Sequence, residues 1–146
     1  MADQPPDFDN FGYEEAWAVG SALIARGRQE RLPIAVGIWF GEQRVFHAAL
    51  PGTSADNDAW IEKKARVVQR FRRSSLDVFE HYEVASNPAF YEGFGLSRAA
   101  YAPGEGAVPI MVHGSLVGVL SVSGLEAGGD HDLAVWGLMR IHRSAR

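Results

Sequence analysis

The sequence predicts a mixed α+β domain in which an antiparallel sheet is covered by helices, in three layers. Three observations predict it. Two pairs of alternating apolar segments are each joined by a short turn, as antiparallel hairpins are. Helical patterns stand before, between and after the hairpins. The 146 residues, 47% hydrophobic and 22% charged, suit one domain with a real core but not two.

Residues 1–12 read as a flexible lead, Pro-rich and acidic. It has neither the basic start nor the apolar run of a secretory signal, and no apolar stretch approaches the ~20 residues of a spanning helix. A soluble, cytoplasmic protein without a membrane partner is the expectation. Residues 14–28 carry Trp17, Leu23 and Ile24 with small Ala16, Gly20 and Ser21 between them, a helical spacing that stops at Gly27. Ile34, Val36, Ile38 and Phe40 then alternate as a strand, and Gly41-Glu42-Gln43 turns it into a second strand over 44–50. Asp56-Asn57-Asp58 offers side-chain oxygens to cap a long helix reaching about residue 73, and a shorter helix follows over 75–84. Residues 85–106 show no long periodicity, although Asn87-Pro88 and Ser97 suit single helical turns. This connection carries Phe90, Tyr91, Phe94 and Tyr101, and a long aromatic loop in a small domain usually serves as a lid, a pocket wall or a subunit contact. Strands 108–113 and 116–123 pair around Gly114-Ser115, and Asp130 reads as the cap of a last helix. No internal repeat is visible.

Composition excludes several chemistries. With no cysteine, thiolate nucleophiles, Cys-type zinc sites and iron–sulfur clusters are absent. Fourteen Lys and Arg against eighteen Asp and Glu leave a net charge of -4, which argues against a generally nucleic-acid-binding surface. An EF-hand loop starting at Asp56 needs Gly and Glu where Ile61 and Val67 stand, so calcium is not expected there. The five histidines form no HExxH pair, and no metal site is expected.

The residues that can carry chemistry each have a plain structural reading beside the functional one. On a helical wheel from Trp60, the apolar arc of Ile61, Val67, Val68 and Phe71 contains Lys64, whereas Lys63, Arg66, Arg70 and Arg73 lie opposite. Lys64 either snorkels past its neighbours or points its ammonium into a cavity. The basic side is a solvated helix surface or a docking site for acidic groups. His47 shares a strand face with Val45 and Ala49, as an ordinary hydrogen-bonded histidine or as a ligand or base. Ser121-Val122-Ser123-Gly124 lacks the upstream glycine of a serine-hydrolase elbow, but Ser123 and Gly124 end a strand where backbone can approach a ligand. Gly104, Gly106 and Pro109 either shape a pocket rim or set the entry to the third clear strand. His131, beside Asp130, is either surface polar or part of the same site.

Two ordered blocks carry a family resemblance over nearly the whole chain. The first is Phe46-His47-Ala48-Ala49-Leu50-Pro51-Gly52-Thr53 with Asp56-Asn57-Asp58-Ala59-Trp60-Ile61 and Lys63-Lys64. The second is Gly106-Ala107-Val108-Pro109-Ile110, then Gly114, Gly118, Val122-Ser123-Gly124 and Asp130-His131-Asp132-Leu133. Together they resemble the haem-degrading domain family of the GlcG and HbpS type, in its short uncharacterised branch. The resemblance implies a profilin-like domain that assembles into dimers or larger homo-oligomers. It also implies a haem, tetrapyrrole or other small-ligand role, with His47, Lys64, Ser123, Gly124, Asp130 and His131 at matching positions. The chain departs at Gly104, where relatives are expected to carry histidine, and at Glu105, where glycine is usual.

The expected function is an oligomeric small-ligand-binding protein for haem or another planar anion, without established catalysis. Its pocket would combine His47, Lys64, Tyr91, Phe94, Tyr101, Gly106, Ser123, Gly124, Asp130 and His131, with the Lys64 ammonium meeting a ligand carboxylate and the aromatic segment covering its apolar surface. His47, His113 and Tyr101 are the axial candidates for haem iron. One alternative is an assembly or adaptor protein, motivated by Trp39 on the less buried strand face and by the aromatic connection. The other is a lyase or isomerase with Lys64 as base or Schiff-base amine and His47 as proton carrier.

Overall fold

The computed structural model describes residues 4–126 and 128–144. Five strands form one sheet: β1 (Asp7–Phe8), β2 (Ala35–Phe40), β3 (Gln43–Ala49), β4 (Ala107–Val112) and β5 (Ser115–Ser123), in the order β1-β4-β5-β2-β3. The hairpins β2–β3 and β4–β5 are antiparallel, and β5 joins them by pairing antiparallel with β2. Part of the lead is paired into the sheet, and its residues 1–3 lie outside the described residues. Asp7 and Phe8 pair in parallel with Met111 and Val112, and Phe8 is buried against Phe11 and His142. The sheet is therefore mixed at one edge rather than purely antiparallel.

Helices α1 (Tyr13–Glu30) and α5 (Gly129–Ser144) cover one face; α2 (Ala55–Phe71) covers the other. Even-numbered Val36, Ile38, Val108, Ile110, Leu120 and Val122 pack under α1 and α5, whereas Trp39, Ala107 and Val119 pack under Ile61, Ala65 and Val68 of α2. Both faces are thus apolar, which is why the strand face bearing Trp39 is buried and not an assembly surface as the alternation suggested. A register shift between Ile38 and Trp39 breaks strict alternation, so Val45 and Phe46 both reach the α1 side while Arg44 lies over the Trp39 ring.

Two expected caps are replaced. Ser54 caps α2, its Oγ accepting from Asp56 N–H, while the Asn57 side chain accepts from Ser54 N–H. Asp130 lies inside α5 and reaches back, its Oδ1 accepting from Leu125 N–H at 2.8 Å. Beyond α2, the helix α3 (Ser75–His81), a 3-10 turn (Val84–Ser86) and the short helix α4 (Phe90–Phe94) form a satellite. Val67, Val78, Phe90 and Leu96 are its buried centre, and Phe71, Tyr82, Tyr91, Phe94 and Tyr101 pack around them.

Candidate functional site

Lys64 sits on the sheet-facing side of α2, where an apolar side chain would ordinarily be, and is only 5% exposed. Its ammonium donates to Glu105 O at 2.8 Å and to Val122 O at 2.5 Å, and lies 3.7 Å from Asp130 Oδ2. One cation thus ties the end of β5, the segment before β4 and the start of α5 to α2. A buried charge persists only where its donors are satisfied, and this one spends them on two carbonyls and a carboxylate. Burial pushes Lys64 below its ordinary 10.5, an effect that Asp130 and then Glu105 oppose. Burial likewise pushes Asp130 above its ordinary 3.8, against the pull of Lys64 and of the Leu125 and Gly124 N–H groups.

The backbone around the amine is fitted to it. Gly106 has φ 129°, and a Cβ there would stand 2.3 Å from Val122 O and 2.5 Å from Lys64 Nζ. Gly124, at φ 127°, leaves no room either, because its Cβ would meet Pro33 O at 2.0 Å. No side chain other than hydrogen fits these two positions.

Above this knot opens a recess of 390 Å³. Asp56, Asn57, Trp60 and Lys64 of α2 form one wall, residues 102–105 a second, and Ser123, Gly124, Leu125 and Asp130 the third. Asn57 Nδ2 donates to Ser123 Oγ at 3.3 Å, joining first and third walls. At the rim Trp60 is 44% exposed, its indole N–H donating to Asp56 Oδ2 at 3.1 Å and the Lys63 ammonium 5.2 Å from its ring centre. Trp60, the origin of the helical wheel, stands at the edge of the apolar arc with its indole partly in solvent.

Of the residues expected to share one pocket, Lys64, Ser123, Gly124 and Asp130 line this recess and Gly106 abuts its floor. The rest lie elsewhere. His47 Nε2 is 2.7 Å from Asp58 Oδ1 and does not line the recess. Tyr91 and Phe94 pack in the aromatic satellite, and Tyr101 lines a separate cleft with Trp39, Arg44 and Arg66. His131 is buried in α5. Asp56, Asn57, Trp60 and Glu105 were not singled out as site residues, although the first three stand in the first resemblance block; Gly104, read as a possible rim residue, does line the recess. Among the described residues no histidine lines the recess. Gly104 does, with open space where a Cβ would point, so the position at which histidine was expected carries no imidazole here. Lys64 and His47 have different partners, Glu105 O, Val122 O and Asp130 for the amine and Asp58 for the imidazole. Among the described residues no three His, Asp or Glu converge on a metal position, and no helix is long and apolar enough to cross a membrane.

A family described as "Haem degrading protein HbpS-like" matches residues 11–139. A UPF0303 protein of Streptomyces coelicolor is 42% identical over 135 residues, covering 92% of this chain and 85% of its own. Another, from Streptomyces avermitilis, is 45% identical over 127 residues, covering 86% and 77%. Among solved structures, the Ybr137w protein superposes with a TM-score of 0.84 at 25% identity, over 96% of this chain and 83% of its own. HbpS gives 0.71 at 13% identity over 96% and 93%, and PduOC, solved as a haem complex, 0.73 at 16% over 88% and 93%; these two likenesses are of fold. The chain belongs to the HbpS-like family.

Proposed function

We propose that this member of the HbpS-like family is a homo-oligomeric small-ligand-binding protein whose recess takes a planar anion, haem or a related tetrapyrrole. The observation that carries the reading is the recess itself: a half-exposed indole, fixed by Asp56, beside walls that Lys64 holds together. The haem-degrading description of the family and the haem complex of the structural neighbour PduOC support it. The macrocycle stacks on Trp60, and its carboxylates turn to the Lys63 ammonium at the rim. Lys64 acts by positioning the walls, because its charge is already used inside.

The lining does not fit iron, and because it is itself acidic the ligand's carboxylates lie outward, toward Lys63 at the rim. Asp56, Glu105 and Asp130 are hard oxygen groups and no imidazole is present, so the residues do not supply the usual haem ligand and no degradation step is derived through it. Titration with hemin and with metal-free protoporphyrin, read by absorbance and tryptophan quenching, tests the proposal. Both are expected to saturate at micromolar concentration with affinities within about threefold, and Trp60→Ala to weaken both at least about tenfold, the worth of one stacking contact. No saturable signal in the wild-type chain refutes it. An assembly role without small-molecule chemistry is favoured instead by a different observation, the exposed Tyr13 and Trp17 on α1.

A further inference from the structure

One stripe of α1 faces away from the core and carries Tyr13 and Trp17, which are 63% and 65% exposed. At about 100° per residue, Tyr13, Trp17, Ser21 and Arg28 fall within an arc about 80° wide, which also contains Ile24, half-buried and packed against the core at its inner side. The Trp17 ring is held at its edge by Phe46 of β3, 5.8 Å between centres, so the indole is positioned rather than loose. At the other end of the helix lies an apolar cleft of 400 Å³, formed by Gly27, Leu32, Leu50 and Pro51 together with Arg28 and Arg31.

Charge is divided along the same helix. Glu14 and Glu15 stand in its first turn, and Arg26, Arg28 and Arg31 at its end. Glu15 is committed to Gly12 N–H and Arg26 to Glu30. Glu14, Arg28 and Arg31 are exposed and have no ion-pair partner among the described residues. A helix with an acidic start, a basic end, an aromatic anchor near one end and an apolar cleft near the other is complementary to itself turned round. Beside it β3 is an edge strand, whose outward backbone groups pair with nothing in the sheet.

We infer that a second copy of this chain docks antiparallel on the α1–β3 edge. Trp17 of each copy fills the other's cleft between Leu32, Leu50 and Pro51, and Glu14 of each meets the other's Arg31. The ten residues from Trp17 to Gly27 span about 15 Å of helix. A two-fold axis crossing midway, beside Ser21 and Ile24, therefore satisfies both Trp17 contacts at once. This names the surface for the homo-oligomer part of the reading above and is independent of its ligand part, since the recess lies across the sheet under α2.

The test is light scattering of the full chain over a micromolar range, with circular dichroism to confirm folding. Trp17→Ser is expected to weaken association at least about tenfold, as loss of a buried aromatic anchor does. Glu14→Arg and Arg31→Glu are each expected to weaken it about fivefold or more, and the two together to restore it, because each contact then again joins opposite charges. Ser21→Cys, in a chain with no native cysteine, is expected to oxidise to a disulfide-linked dimer. Association unchanged in Trp17→Ser and in both charge variants overturns this surface and leaves the homo-oligomer reading standing. A wild-type chain that is monomeric throughout the range overturns both, and leaves the tetrapyrrole titration to judge the ligand reading alone.

Discussion

Lys64 shows how much one side chain can organise. Its ammonium closes Glu105 O, Val122 O and Asp130 on each other, and neither carbonyl lies in its own helix. Lys64→Met keeps most of the packing volume but leaves Asp130 without its cation and two carbonyls without their donor. The expected loss is about 3 kcal/mol, the usual effect of breaking a buried pair on one side. The pH dependence has a defined sign. Lys64 titrates below 10.5 in the folded chain, so its contribution is full above 10.5 and is lost as pH falls through the lowered folded value. Asp130 titrates above 3.8, so its contribution is full below 3.8 and is lost as pH rises through the raised folded value. Urea denaturation across both windows should show the alkaline slope vanish in Lys64→Met and the acidic window move upward, since Asp130 then lacks the charge that held it down. Identical pH profiles for variant and wild type would contradict the pair.

At the scale of elements, the basic side of α2 turns out to be a strap. Arg66 donates to Ala100 O at 3.1 Å, Arg70 to Phe94 O at 3.0 Å, and Ala102 N–H to Lys63 O at 3.4 Å, while Arg98 covers the Tyr91 ring. The aromatic satellite is thereby held to the helix, and with it the approach to residues 102–105 of the recess. Replacing Arg66 and Arg70 by Ala should cost about 1 kcal/mol each, concentrated in local opening. Hydrogen exchange is expected to quicken in residues 90–102 with little change elsewhere; uniform exchange would mean these arginines are only solvated. The hairpins were legible because alternation survives over most of each, despite the register shifts at Ile38/Trp39 and Ile110/Met111. β1 was not, since two residues carry no period, and its support comes from Phe8 finding a core made 100 residues later. The Asp56 to Asp58 cluster resembled a cap, but the cap went to Ser54, two positions earlier, where the chain turns from extended to helical. Alternation along β2 marked the Trp39 face as the less buried of the two, although a three-layer arrangement covers both, and α2 buries it.

In the proposed function, ligand capture and assembly fall on two different faces of the molecule. Lys64, Ser123, Gly124 and Asp130 were legible together because both resemblance blocks end at the recess. His47 falls in the first block yet faces Asp58, and the aromatic segment folds on itself rather than over the ligand site; neither outcome follows from spacing, because both depend on which partners the third dimension supplies. Docking through α1 and β3 leaves the recess under α2 open in every copy, so assembly and ligand capture are compatible in one protein. The central claim is that a planar anion sits between Trp60 and the walls tied by Lys64. Its most direct test is the amide and indole nuclear magnetic resonance spectrum of the labelled chain as zinc protoporphyrin is added. The account predicts shifts confined to the Trp60 indole, residues 102–106, 123–126 and the first turn of α5. Shifts centred on the exposed stripe of α1, or on the aromatic satellite with Trp60 unmoved, would contradict it.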